Sequence, residues 1–465
     1  MNESLTADVV VAGGGMAGLV AAVAALERTE DVIVLEKGPR TGGSMYLSGG
    51  TVWTFETLKD VREVAPYGDP ELQSIVVESL ETDLKWLETI GVETVPILTD
   101  IDERWGREID PEESTAILTE TIEADDRVRR RTPMETVRTD ERGRATQVVA
   151  NAANGGYLLI EAGAVVLATG GFQGNEELVQ RHITDHTKNL WLRSNPWSTG
   201  DGLLAARSVG GKATTGLGSF YGHNMAAPPA EISPREFVDV TQYYGPQGLA
   251  LDKSGQRFVD ESSHYGEEGI AVATAKDAGG RAYYLLDVEL FESEFTNELR
   301  VGRMVERVAE HGGRTASAPS LGKLADAVEN WDLDGDAMVR TVTEYNRAIR
   351  NDSAGTLDPP RRANRSPFDT PPFHVVELQP GITFTTGGIA VDAEMRVLSR
   401  ARSSSTLLHG PAEEADLVRE PIEGLYAAGV DIGNVHEGGY IGGLATALTT
   451  GRVAGQRAAR YADQS

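Results

Sequence analysis

Three glycines in the order Gly13-x-Gly15-x-x-Gly18 close a short β-branched run, Asp8 to Ala12, and open an Ala- and Leu-rich stretch, Leu19 to Arg28. Glycines at this spacing let the backbone turn tightly and approach a pyrophosphate. The first amides of the following helix, Met16 and Ala17 among them, then stabilise its charge. A second run, Asp31 to Leu35, ends at Glu36, and an acid there bonds ribose hydroxyls. The glycine spacing alone says little in a chain with 52 glycines. Its setting between a strand and a helix, with the acid about twenty positions on, predicts a dinucleotide site.

The elements that must position these residues are legible as patterns. Asp8–Ala12 and Asp31–Leu35 read as buried parallel strands joined by a helix, the size of a right-handed βαβ unit. A further glycine cluster follows at Gly42-Gly43-Ser44 and Gly49-Gly50. Residues 70–91 carry Val76, Val77, Leu80, Leu84, Trp86 and Leu87 at helical spacing. Residues 127–137 read as a strand, and so do Ala162 to Ala168, which run into Thr169-Gly170-Gly171. From about Gly216 the period is lost among aromatics, prolines and glycines. Residues 320–351 read as helical, prolines punctuate their exit, and a β pattern returns after Phe373. Gly424-Leu425-Tyr426-Ala427-Ala428-Gly429 repeats the form of a strand ending in glycine. This order predicts an α/β nucleotide-binding domain split by an insertion: 1–215, 216–365 and 366–465.

Composition sets the outer limits. Asp and Glu number 71 against 43 Lys and Arg, a formal net charge of −28. That balance argues against nucleic acid and against anionic membrane surfaces as partners. There is no cysteine, which excludes disulfides, thiolate metal sites and cysteine nucleophiles within the chain. Only 8 of the basic residues are lysines. A high-salt cytoplasm and a GC-rich genome both account for such a surface. No apolar run reaches the ~18–20 residues of a membrane span, and Met1–Ala7 holds no signal-like segment, so a cytoplasmic location is expected.

Read in order, GGGMAG, LEKGPRTGGSMYLSGG, VVLATGGFQGN, STGDGLLAA, GQRFVDES, ITFTTGGIAVD, GLYAAGV and GGYIGGLATALTTGRVAG cover nearly the whole chain. In these motifs it resembles the fumarate reductase/succinate dehydrogenase flavoprotein superfamily, including its 3-ketosteroid dehydrogenase branch. The resemblance implies a Rossmann-type two-dinucleotide-binding FAD domain split by an inserted α+β capping domain. It implies FAD as cofactor, with Gly13, Gly15 and Gly18 at the pyrophosphate and Glu36 at the ribose. Lys37, Gly42, Gly43, Ser44, Gly49 and Gly50 follow the pyrophosphate toward the flavin, and Val137 meets adenine through its backbone. Ala168, Thr169 and Gly170 line the adenosine side, with Asp201, Gly429 and Asp431 toward the ribityl chain. Gly443, Leu444 and Ala445 start a last helix aimed at the flavin. Ser44 to Ser48 hold no histidine where covalent members carry one, so the FAD is expected to be non-covalent.

The active-site positions separate the branches. Where fumarate reductases place a proton-donating Arg, a His-rich segment and a substrate-binding Arg, this chain has Tyr265, Thr383-Phe384-Thr385-Thr386 and Tyr440. By resemblance to the ketosteroid branch, Tyr265 removes the proton α to a carbonyl, helped by His264. Tyr440 and the N–H of Gly443 or Leu444 then hold the enolate oxygen. His223 falls near a family histidine that touches substrate. The implied function is FAD-dependent oxidation or reduction of a CH–CH/C=C bond beside a carbonyl, with a small carbonyl compound as substrate. The electron acceptor and the oligomeric state are left open. A fumarate reductase-like enoate reductase, a tricarballylate-type dehydrogenase with Arg235, Arg257, Arg300 or Arg303 as clamps, and a flavoprotein subunit of an electron-transfer complex are the alternatives.

Overall fold

The computed structural model describes residues 3–97, 104–123, 126–152, 155–263, 265–296, 299–400 and 420–464. The chain forms two compact units: Met1–Asn175 with Asn195–Gly218 and Thr385–Ser465, and Glu176–Ser194 with Ser219–Phe384. The second unit differs from the expected insertion of 216–365 for a topological reason. The strand Phe373–Thr385 is the centre of its sheet, and Trp191–Leu192 pairs with that strand.

The first unit begins with β1 (Glu3–Ala12), α1 (Met16–Leu26) and β2 (Val32–Leu35). β3 (Thr51–Phe55) follows, then α2 (Pro70–Thr89), β4 (Arg104–Glu108) and α3 (Pro111–Ile122). α2 starts because Pro70 follows Asp69, whose carboxylate caps the Glu71 and Leu72 amides, and it buries Leu72, Val76, Leu80, Leu84 and Leu87 along one face. β5 (Val128–Arg129), β6 (Met134–Thr139), β7 (Ala145–Asn151), β8 (Tyr157–Leu167) and α4 (Asp201–Ser208) complete the first passage. The strand expected over 127–137 is thus two, separated around Pro133, which has no N–H for a ladder.

The second unit is built on β9 (Trp191–Leu192), β10 (Phe220–Ala226), β11 (Leu249–Leu251), β12 (Ala282–Leu286), β13 (Thr315–Ala318) and β14 (Phe373–Thr385). Its sheet runs β9-β14-β12-β11, with β10 and β13 also paired to β14. Every residue of β12 is fully buried, because apolar layers cover both faces. α5 (Gly266–Lys276) and α6 (Gly335–Arg350) pack on this sheet's layers. The single helix expected over 320–351 is broken: Asp334 caps the Ala337 amide and starts α6 afresh.

The chain then returns to the first unit with β15 (Arg396–Leu398), β16 (Pro421–Ala427) and α7 (Gly443–Ala462). The sheet order is β15-β16-β8-β1-β2-β5, in which β16, β8, β1, β2 and β5 are parallel. Residues Met16 to Ala25 of α1 are all buried, as expected of a helix with apolar residues all round. Among the described residues no helix is long and apolar enough to cross a membrane. No cluster of three or more His, Asp or Glu among them could hold a metal ion.

Candidate functional site

The first unit brings two of the glycine clusters face to face. Gly13 takes a φ of +109°, and a Cβ there would lie 2.0 Å from the Ala168 carbonyl oxygen. A Cβ on Gly18 would lie 1.9 Å from the Gly13 carbonyl oxygen. Both glycines are therefore required by the close passage of β1, β8 and α1. Gly15 and Gly42 pair as an isolated parallel bridge, and the Gly42 N–H donates to the Gly14 carbonyl at 2.7 Å. Beside Gly15 the space is open: a Cβ would meet nothing closer than Gly43 Cα at 4.0 Å. This cradle fronts the start of α1, which has no side-chain cap and no acid in its first turn. Bare amides facing open space suit a pyrophosphate. Ser44 closes one side, its Oγ accepting from the Asn195 side-chain N–H at 2.7 Å.

Glu36 stands beside this cradle with 7% of its surface exposed. Its carboxylate accepts the Gly14 N–H at 2.8 Å and the Gly38 N–H at 2.5 Å, while burial raises its pKa. Each carboxylate oxygen keeps a lone pair for a ribose hydroxyl. The backbone against Glu36 is Arg129–Thr132: Glu36 N–H donates to the Arg129 carbonyl, and Thr132 N–H to the Glu36 carbonyl, both at 2.9 Å. Val137 is not brought there; it pairs with Val148 inside the β6–β7 ladder. Trp197, 44% exposed, is a neighbour that the sequence reading missed. A Cβ on Gly38 would lie 2.9 Å from its indole Nε1 and 2.9 Å from Glu36 Oε1.

Lys37 and Asp201 form an ion pair at 2.8 Å, with the Thr199 hydroxyl bonded to both. Asp431 is 2% exposed and turns inward, accepting the Thr169 N–H and, at 3.2 Å, its hydroxyl. A Cβ on Gly202 would lie 2.4 Å from Asp431 Oδ1, so α4 opens with glycine to admit this carboxyl. Burial pushes the Asp431 pKa up to about 7, the Thr169 bonds pulling against it and Asp201 adding repulsion. The folded value exceeds the ordinary 3.8, so the folded state holds a proton that the unfolded chain has released between 3.8 and about 7. Stability from this group is full below that window and falls as pH rises through it. Asp431→Asn should therefore flatten the fall in apo-protein stability between these pH values at fixed ionic strength. Parallel pH profiles for both proteins would contradict it.

Gly50 lies at a φ of +78° where a Cβ would strike the Ile109 carbonyl oxygen at 2.0 Å, a packing role. Gly49 is not brought to the cradle. It lines a hollow of about 400 Å³ walled by Glu93, Glu108, Asp110 and Glu113, which would repel a pyrophosphate.

The second functional end is the start of α7. A Cβ on Gly451 would lie 2.5 Å from the Ala17 carbonyl oxygen, and one on Gly455 2.1 Å from that of Ala21. Both contacts advance together along the two helices, so α1 and α7 pack in parallel. Counting back from Gly451 to Gly443 puts the start of α7 about 10 Å beyond that of α1 at the ordinary helical rise. Gly429 sits at this seam, its N–H on Thr450 Oγ1 at 2.9 Å and a virtual Cβ 2.7 Å from that of Ala17. Two helix N-termini stepped in this way suit an elongated dinucleotide, one at its pyrophosphate and one further along.

Tyr440 accepts the Gly443 N–H on its phenol oxygen at 2.9 Å. Gly443 therefore spends its amide on Tyr440, and the next amides of the turn are those of Leu444 and Ala445. The Tyr440 ring packs edge-on to Trp53 (centroids 5.4 Å apart) and stacks on His436 (5.6 Å). His436, missed in the sequence, is 6% exposed, and burial lowers its pKa to about 3. It stays neutral, accepting the Ile441 N–H on Nδ1 and meeting Thr446 Oγ1 through Nε2.

In the second unit Tyr265 is half-buried and takes the N-cap position of α5, and His264 lies outside the described residues. The loop before it is anchored by Glu261, which pairs with Arg257 and with Arg361 at 3.0 Å, all three buried. His223 is 4% exposed, bonded through Nδ1 to Glu267 of α5 and through Nε2 to the Tyr221 hydroxyl at 2.9 Å. Burial lowers the His223 pKa to about 3 and raises that of Glu267 well above the usual range. The pair is thus neutral, with the proton on the carboxyl.

A family model described as FAD binding domain matches residues 8–444. A probable fumarate reductase of Shewanella frigidimarina is 27% identical, over 99% of this chain and 76% of that protein. The open conformation of a flavocytochrome c3 fumarate reductase superposes with a TM-score of 0.69 at 23% identity, covering 99% of this chain and 79% of that one. The 3-ketosteroid delta1-dehydrogenase of Sterolibacterium denitrificans gives 0.72 at 19%, covering 99% and 100%. The cradle at α1, the Glu36 carboxylate beside it and the stepped second helix suit the cofactor that the family description names. The chain belongs to the FAD binding domain family and is an FAD-dependent oxidoreductase of the fumarate reductase/succinate dehydrogenase flavoprotein superfamily.

Proposed function

We propose that the protein interconverts a CH–CH bond and a C=C bond next to a carbonyl group, in the direction of ketone desaturation. The observation that carries this reading is the Tyr440–Gly443 hydrogen bond at the start of α7. A phenol oxygen that accepts an N–H becomes a stronger donor through its own O–H. That donor and the Leu444 amide are suited to a carbonyl oxygen on which negative charge develops, where each donor contributes most. Gly443 acts here as a positioning group for Tyr440. Tyr265, at the N-cap position of α5, is assigned the α-proton. FAD, when bound, supplies the hydride acceptor or donor.

Reduction of an enoate or enone is the second reading. It is favoured by the probable fumarate reductase similar over 99% of the chain. Tyr265 and Tyr440, in place of arginines, weigh against a dicarboxylate. Mixing the anaerobic holoenzyme with cyclic ketones, steroids, enones and enoates tests both. Bleaching of oxidised flavin by a ketone supports desaturation, and reoxidation of reduced flavin by an enone or enoate supports reduction. Inertness toward every carbonyl compound in both directions would overturn the proposal.

The FAD is proposed to be dissociable, since Ser44 to Ser48 offer no histidine for a covalent link. Acid precipitation should leave all the flavin in the supernatant. Yellow colour retained in the washed pellet would contradict this.

A further inference from the structure

Trp197 stays 44% exposed, although a ring of its size gains more than most side chains from leaving water. The loop that carries it is tied down on several sides. The Asn195 side-chain oxygen accepts the Trp197 backbone N–H at 2.9 Å, and its nitrogen donates to Ser44 at 2.7 Å and to Ser198 at 3.1 Å. The Gly174 N–H donates to the Ser198 carbonyl at 2.8 Å, and the Gly200 N–H to that of Gly171 at 3.1 Å. Lys37 Nζ donates to the Thr199 hydroxyl at 2.5 Å. A Cβ on Gly174 would lie 3.0 Å from the Pro196 carbonyl oxygen, so the loop also passes close over that glycine. Trp197 is thus presented from a fixed backbone.

It is presented beside Glu36. A Cβ on Gly38 would lie 2.9 Å from Trp197 Cδ1, Trp197 Nε1 and Glu36 Oε1 alike. Gly38 takes none of the positive φ values that call for glycine. Nor can it back away, since its N–H donates to Glu36 at 2.5 Å and its carbonyl accepts the Arg131 N–H at 3.0 Å. The missing side chain at position 38 therefore leaves room for the N–H edge of the indole next to the carboxylate. That indole N–H meets no acceptor among the described residues. A donor and an acceptor set side by side match a group that both donates and accepts, which is a hydroxyl. A phosphate would meet the donor and be repelled by the carboxylate. The exposed indole adds a flat apolar wall of the kind on which a base stacks.

We propose that Trp197 is part of the cofactor site: its N–H joins Glu36 on a ribose hydroxyl of FAD, and its ring walls the adenine. The inference rests on the FAD of the family and not on the reaction proposed above. Stepwise dilution of the holoenzyme tests it through the fluorescence of released FAD. Trp197→Ala should raise the FAD dissociation constant by about 10- to 100-fold, the range for one base on one aromatic ring. Trp197→Phe keeps the ring and loses the donor, and should fall between Trp197→Ala and the parent. Calorimetric titration of the full-length protein freed of FAD separates the two ends of the cofactor. Trp197→Ala should weaken ADP by about the same factor and leave FMN, which has no adenosine, as in the parent. The urea midpoint of the FAD-free variant should also be parental, because an exposed side chain contributes little to folding.

A Trp197→Ala protein that holds FAD and ADP as tightly as the parent would overturn the assignment. So would a loss that falls equally on FMN, or a Trp197→Phe protein no better than Trp197→Ala. ADP binding that depends on Trp197, in a holoenzyme that exchanges electrons with no carbonyl compound, would sink the proposed reaction and leave this site standing.

Discussion

Tyr440→Phe is expected to lower turnover of the carbonyl substrate by about 10²–10³-fold, the usual effect of deleting one donor to a developing oxyanion. The change removes one oxygen. The ring that packs on Trp53 and His436 stays, so folding and FAD content should be those of the parent. The loss should fall on kcat, because the donor is strongest when charge has moved onto the oxygen. The Gly443 amide, deprived of its acceptor, turns to substrate or water and recovers part of the effect. Single-turnover flavin reduction under anaerobic conditions separates the chemical step from product release. A variant that reduces its flavin at the parental rate would remove Tyr440 from the mechanism.

Glu261→Ala is expected to cost about 3–5 kcal/mol, because it leaves two buried guanidinium groups without their counter-charge. Glu261 and Arg361 are fully buried and Arg257 nearly so, with side-chain exposures of 0, 0 and 4%. The same carboxylate accepts the Ala250 N–H at 3.0 Å, while Arg361 donates to the Gly248 and Pro246 carbonyls and Arg257 to that of Pro359. One deletion therefore loosens the loop leading to Tyr265, the start of β11 and the segment after α6. Against a typical total of about 5–15 kcal/mol, the second unit should become protease-sensitive at ambient temperature. Replacing Glu261, Arg257 and Arg361 together by Met should be far milder, since no charge is then stranded. Urea unfolding followed by tryptophan fluorescence reads both, and a Glu261→Ala midpoint equal to the parent's would refute the account.

The nucleotide-binding part was readable from the chain because its constraints are local. Gly18 is demanded by the Gly13 carbonyl within one βαβ turn, Gly13 takes a positive φ there, and Glu36 follows at the end of the next strand. Periodicity likewise showed α2, whose buried positions recur along one face and whose start is announced by Asp69-Pro70. These signals survive in one dimension because the residues that impose them are close in sequence.

What only the tertiary structure decided involves partners far apart in the chain. Asp431 was expected at the cofactor, but its carboxyl is buried against Thr169 and Gly202, which a linear reading cannot bring to it. Gly49 and Gly50 share the pattern of the cradle glycines, yet β3 and β4 carry them to an acidic hollow and to the Ile109 carbonyl. Val137 lies in a hairpin ladder, and the chain at Glu36 is Arg129–Thr132. The extent of the second unit was hidden because Trp191–Leu192 joins a strand beginning at Phe373, a pairing that leaves no local mark. Arginine is common here, so no pattern could show that Arg257 and Arg361 share Glu261. Only folding shows which guanidinium groups meet a carboxylate, because charge pairing is settled by distance in space and not by spacing along the chain.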